Sequence, residues 1–156
     1  MSDAHKLVRR SDETGMRIFD VNVQAQVLAL FKELKLDSEL SLVFISHDLA
    51  VVAGIADRVM VMYAGRIVES APAELLLRAP LHPYSAALLA CMPRMHGPID
   101  ARMPTLPGNA PRGGEEFRGC AFAPRCPKAR SRCADERPRL TAREGRSVAC
   151  HFPEGS

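Results

Sequence analysis

Cys120, Cys126, Cys133 and Cys150 form a C-x5-C-x6-C-x16-C pattern, four thiols within 31 residues of a 156-residue chain. Four thiolates suffice to close a tetrahedral zinc site or to hold an iron-sulfur cluster. Structural zinc favours tight C-x2-4-C pairs, which this pattern lacks, whereas a four-iron cluster is larger and accepts ligands from wider loops. The spacing therefore predicts a [4Fe-4S] cluster on these four residues, with zinc or free thiols as alternatives. A four-thiolate cubane carries a net charge of about −2, which the surrounding Arg125, Lys128, Arg130 and Arg132 would offset. Cys91 lies apart, in a helical stretch, and reads as a small buried hydrophobe. His151 could serve as a substitute ligand, but reads as an exposed neighbour of Cys150.

The basic residues near the thiols belong to a wider excess. Residues 112–146 hold ten Lys/Arg against five acids, +5 in all, while the rest of the chain is −2. Such a segment is a solvated basic tail, a surface for an anionic partner, or a counter-charge for an anionic cofactor. With no Trp and two Tyr, it lacks an aromatic platform for single-stranded nucleic acid, and no nucleic-acid partner is expected. The composition, 47% hydrophobic and 25% charged, is that of a globular protein. The longest apolar runs fall well short of the roughly 20 residues of a membrane helix, and the charged N-terminus is unlike a signal peptide. A cytosolic address is expected, where thiols stay reduced.

The elements that must position these groups are α/β in pattern. Met1 to Phe19 is polar and aperiodic, and is expected to be poorly ordered. Val23, Val27, Leu30, Phe31 and Leu34 recur at helical spacing, and Ser41 to Ile45 is a short apolar run suited to a parallel strand buried on both faces. Ser46-His47-Asp48 can cap a helix from about Leu49 to Ala56. Arg58 to Tyr63 and Arg66 to Glu69 read as two strands around Ala64-Gly65, with a short helix after Pro72. A helix over about Tyr84 to Cys91 precedes a Pro/Gly-rich loop. His82-Pro83-Tyr84 reads as a turn that starts this helix, with Pro at its first position.

Two further residues stand where chemistry is done. His47 follows a predicted buried strand, at the end where open α/β sheets place ligands. Asp20 precedes a helix and is a natural N-cap.

Three blocks in order resemble the ATPases of ABC transporters: Asp20 to Gln26, Leu42 to Val52, and Ala56 to Glu69. Beyond them, Leu81-His-Pro-Tyr84, Leu106-Pro-Gly108 and Gly119-Cys-x5-Cys-x6-Cys resemble the C-terminal extension of the peptide and nickel importers. Together these cover roughly residues 20–152. The resemblance implies the C-terminal part of an ABC-type ATPase core followed by a loop-rich, Cys-containing extension. It divides the chain into residues 1–19, a core piece over 20–78, and an extension over 79–156.

The same resemblance implies roles. His47 would be the switch histidine that contacts the γ-phosphate and helps place the attacking water, and Asp20 the D-loop aspartate that communicates across the ATPase dimer. Some relatives carry an iron-sulfur cluster in this extension. Membrane-spanning permease subunits and a second ATP-binding subunit would be the partners, at the cytoplasmic face of the inner membrane. The peptide itself would not touch this chain.

Departures from the family pattern are as informative. Arg17-Ile18-Phe19 replaces the small residue and Leu expected before Asp20. No Gly-rich phosphate loop, glutamine loop or LSGGQ signature occurs in the chain, so ATP and Mg²⁺ would belong only to the intact family protein. Asp12-Glu13 faintly resembles the Mg²⁺-binding acid pair, but Arg9 and Arg10 interrupt the strand that should lead to it. Strand Ser41 to Ile45 would have bare edges, an aggregation hazard. The expected function is thus an inactive piece of a peptide-importer ATPase, from a truncated or frame-disrupted gene. A stand-alone iron-sulfur or zinc module, sensing redox state or binding nucleic acid, is the rival reading.

Overall fold

A computed structural model describes residues 26, 28–31, 33, 41–92, 106–112 and 114–155. The chain divides into two units, Met1–Val43 and Phe44–Ser156. In the first, Gln26, Leu28 to Phe31 and Glu33 are helical, in keeping with the apolar period there. Asp20 lies outside the described residues.

The expected strand at Ser41 to Ile45 is not found. These residues belong to no strand or helix and are exposed, Val43 at 81% and Ile45 at 91%. A parallel strand needs neighbours to receive its N–H groups and cover its two faces. No described strand lies alongside to supply them.

The second unit is ordered by short-range signals that the sequence carries plainly. Helix α1 (Leu49–Ile55) starts at Asp48, whose carboxylate accepts the N–H groups of Ala50 and Val51 at 2.9 and 3.3 Å. Strands β1 (Arg58–Tyr63) and β2 (Arg66–Pro72) make a hairpin. Its two-residue turn has Ala64 and Gly65 at φ 48° and 74°, the doubly left-handed form whose twist suits antiparallel strands. Helices α2 (Ala73–Arg78) and α3 (Pro83–Ala90) follow. A 3-10 turn (Ala123–Arg125), helix α4 (Ser131–Asp135) and strands β3 (Thr141–Arg143) and β4 (Arg146–Val148) complete the chain.

Among the described residues the strands form one antiparallel sheet in the order β1-β2-β4-β3. Strand β4 pairs with β2 through Glu69–Val148 and Ser70–Ser147, so the C-terminal segment is built into the same sheet as the hairpin. A register shift after Val61 leaves Val68 unpaired with β1, and its carbonyl accepts the N–H of Ala149 at 2.8 Å. One face is dry: Val59, Val61, Ala71, Ala73 and Leu76 are its core. Alternation puts Arg58, Met60 and Met62 on the other, exposed face. Among the described residues no helix is long and apolar enough to cross a membrane.

Candidate functional site

The buried face of β2 also carries a carboxylate. Glu69 is 0% exposed, opposite Val61 on β1. Its two oxygens accept the N–H groups of Leu81 at 2.8 Å and His82 at 2.9 Å. Both donors precede helix α3, where backbone N–H groups have no partner of their own. His82 then caps that helix, its Nδ1 accepting the N–H of Tyr84 at 3.0 Å, and Pro83 occupies the first turn, as the sequence predicts. Burial pulls the His82 imidazole down to a pKa of about 4, an effect that its contact with the Ala149 backbone only partly opposes. The ring is neutral at physiological pH. Its Nε2 and the Ser85 hydroxyl are buried without a hydrogen bond of normal geometry.

Phe122, 1% exposed, joins this region to the Cys-bearing segment. Its ring lies 5.3 Å from both Tyr63 and Tyr84 and 5.9 Å from His82, and the two tyrosines are 4.6 Å apart. Edge and tilted contacts of this kind add to the burial of large rings. Behind Phe122 lies the site to which the cysteine spacing points. Cys120, Cys126, Cys133 and Cys150 line one pocket with His82 and His151. The loop before the 3-10 turn, the turn's end, helix α4 and the residues after β4 each bring one thiol to it. Gly119 lets the first loop approach: a Cβ there would lie 2.3 Å from the carbonyl oxygens of Cys133 and Ala134. Such a distance is a steric clash that only glycine avoids.

The four cysteines converge, yet the predicted [4Fe-4S] cluster does not fit, nor does zinc. Among the described residues, no group of three or more His, Cys, Asp or Glu is arranged to hold a metal ion. The void between the thiols is about 10 Å³, near the size of one water probe and far below that of a cubane. The error lay in reading ligand count as a site. The four thiols line the pocket, and burial pushes those of Cys120 and Cys126 up from the usual range. Cys150 rises to about 11, for burial first and then the proximity of the other three sulfurs.

The basic excess also has a local use. Arg125 donates from Nε to the Pro107 carbonyl at 2.8 Å and, more weakly, to Leu106 O and Tyr63 Oη at 3.4 Å. Arg146 donates to Ala79 O at 2.6 Å, Arg58 to Gly145 O at 3.1 Å, and Arg137 to Phe117 O. Arg130 stacks its guanidinium 4.2 Å above the Phe152 ring. Three of the ten basic residues of segment 112–146, Arg125, Arg137 and Arg146, therefore fasten backbone carbonyls. His151 is half-buried, not exposed, and its Nε2 meets the Glu136 carbonyl at 2.9 Å. His47 is exposed in the bend before α1 and is not among the residues of the thiol pocket.

Comparison with known proteins bears on what this assembly is. Residues 68–133 match a family described as the oligopeptide/dipeptide transporter, C-terminal region. These residues run from β2 through the Glu69 clamp and α3 to the third thiol. Residues 68–133 are thus similar to that transporter C-terminal region. It is also 46% identical over 135 residues to the di/tripeptide transport ATP-binding protein of Pseudomonas aeruginosa, covering 86% of this chain and 42% of the relative. To the oligopeptide transport ATP-binding protein of Bacillus subtilis it is 45% identical over 136 residues, 86% of this chain and 41% of the relative. The chain thus spans about two fifths of the length of these relatives. The clamp and all of the aromatic cluster but Tyr63 fall within the matched residues, and sequence reasoning passed over both Glu69 and Phe122. An acid closing an otherwise apolar strand was the available signal for Glu69.

Proposed function

We propose that this chain is the C-terminal part of the ATP-binding subunit of an oligopeptide/dipeptide ABC importer. In the complete assembly that subunit energises peptide uptake by ATP hydrolysis, together with membrane permease subunits and a second ATP-binding subunit, at the cytoplasmic face of the membrane. The observation that carries the reading is identity near 46% over 86% of the chain to peptide-transport ATP-binding proteins. In this reading His47 faces the γ-phosphate in the complete subunit and orients the attacking water, and Asp20 contacts the partner ATPase. Phosphoryl transfer is catalysed mainly by such positioning and charge stabilisation. An exposed His47 on the loop before a capped helix suits contact with a nucleotide held by other segments.

The 156 residues contain no Gly-rich phosphate loop, so this polypeptide by itself neither grips nor hydrolyses ATP. Two measurements test the proposal. Titration calorimetry of the purified chain with ATP and Mg²⁺ should give no binding heat, and a micromolar Kd would refute the first half. Co-expression of the tagged chain with peptide-importer permease and partner ATPase subunits should retain those subunits on the affinity resin. Their complete loss in the wash, with the tagged chain itself folded and retained, would refute the second.

A further inference from the structure

We infer that a groove between Tyr63 at the end of β1, the loop bearing Asn109 and Phe117, and the 3-10 turn is a binding site for a short zwitterionic peptide. It shares no lining residue with the thiol pocket. Its volume is about 660 Å³, within the roughly 300–1,000 Å³ of small-ligand sites and enough for a di- or tripeptide. The inference rests on the groove's own charges and not on the importer reading, so the failure of one leaves the other standing. Arg125 lines the groove as a cation already set in place. Three of its five N–H groups go to Pro107 O, Leu106 O and Tyr63 Oη, and among the described residues the other two have no acceptor. A guanidinium held in this way loses little freedom when a carboxylate meets it, and its planar fork suits the two oxygens. Tyr63, 6% exposed, accepts from Arg125 and keeps its own O–H proton to donate. Arg112, exposed on the loop, adds a second cation.

A simple anion does not account for the groove, because Glu115 lines it too. Arg112 and Glu115 close a turn: the Glu115 N–H donates to the Arg112 carbonyl at 3.2 Å, and the Arg112 N–H to Glu115 Oε2 at 3.1 Å. The other oxygen of that carboxylate has no hydrogen-bond partner among the described residues and is free to receive an ammonium. Two cations and one carboxylate around a single cavity complement the two charged ends of a free peptide. Its carboxylate meets Arg125, Arg112 and the Tyr63 hydroxyl, and its ammonium meets Glu115. Between the charges, the Asn109 amide offers a donor and an acceptor to the peptide bond. Pro111, Phe117 and Pro124 give apolar surface for the ligand's side chains. Phosphate would satisfy the cations and be repelled by Glu115, and a simple amine the reverse.

The experiment titrates the purified full chain by calorimetry with alanyl-phenylalanine, with its N-acetyl form, with its C-terminal amide and with inorganic phosphate. The expected result is one dipeptide bound per chain with a submillimolar Kd. Each blocked form should bind about tenfold more weakly or worse, the worth of one charge-assisted hydrogen bond. Glu115→Gln should weaken the free dipeptide by a similar factor and leave the N-acetyl form unchanged, since that form has no ammonium to lose. Arg112→Ala should weaken the free and N-acetyl forms and leave the amide unchanged. No binding heat at millimolar dipeptide, equal affinity for the free and both blocked forms, or phosphate bound as tightly as the dipeptide would each overturn the inference. The wild-type chain with the four probes decides even if a variant does not fold.

Discussion

Glu69 and His82 meet side chain to backbone, the buried carboxylate receiving the His82 N–H at 2.9 Å and the Leu81 N–H at 2.8 Å. This contact joins β2 to the start of α3 across 13 residues of sequence. It explains how an acid survives on the dry face of the sheet, since a buried carboxylate is tolerated only where its oxygens are satisfied. The relationship is mutual, because the two donors stand at a helix start and would otherwise be orphaned.

Glu69→Ala should therefore destabilise the fold by about 2–4 kcal/mol, the cost of leaving two buried backbone donors unpaired. Glu69→Gln keeps one acceptor oxygen and should cost less. Urea denaturation followed by circular dichroism measures both. A midpoint for Glu69→Ala equal to wild type would show that the clamp carries no stability.

Gly119 makes a second prediction, of steric origin. A methyl group there would lie 2.3 Å from two carbonyl oxygens, and both belong to backbone that cannot rotate aside. Gly119→Ala should lower stability by about 1–3 kcal/mol, as overpacking does, and should part Cys120 from Cys133. Faster alkylation of Cys133 in the variant checks the second effect, and an unchanged rate would contradict it.

How legible this was in the sequence depended on range. Helix α1 with its Asp48 cap, the hairpin around Ala64-Gly65 and the Pro83 start of α3 rest on contacts a few residues apart, and the pattern located them all. The convergence of the four cysteines was legible too, but its purpose was not, since spacing says nothing of the space left between sulfurs. Strands β3 and β4 escaped notice because they are three residues each and gain their meaning only by pairing, β4 with β2 and β3 with β4. Ser41 to Ile45 misled for the converse reason: an apolar run states what it could pack against, not whether the neighbour is there.

Arg125 tests whether the basic residues serve as fasteners. It reaches Pro107, Leu106 and Tyr63 with different nitrogens of one planar group. Lysine carries the same charge but no such fork. Arg125→Lys should thus loosen residues 106–112 with little change in global stability, within about 1 kcal/mol. Hydrogen exchange should quicken over that segment in Arg125→Lys as much as in Arg125→Ala. Protection kept by lysine would mean that charge alone, not geometry, holds the loop.

His82 supplies the prediction with a pH window. Its folded pKa, about 4, lies below the ordinary value of 6.5 because burial disfavours the charged ring. Above pH 6.5 the ring is neutral folded and unfolded, and stability is independent of it. Between 6.5 and about 4 the unfolded chain takes up a proton that the folded chain refuses, so stability falls as pH falls. Below about 4 both forms are protonated and the loss levels off. The whole loss amounts to about 3 kcal/mol, since a tenfold difference in proton affinity between the folded and unfolded chain is worth about 1.4 kcal/mol. His82→Asn retains a side-chain acceptor for the Tyr84 N–H and cannot titrate. It should flatten the stability profile between pH 6.5 and 4 while leaving α3 capped. Urea midpoints across this range decide the matter: equal slopes in wild type and variant would assign the acid sensitivity to other groups.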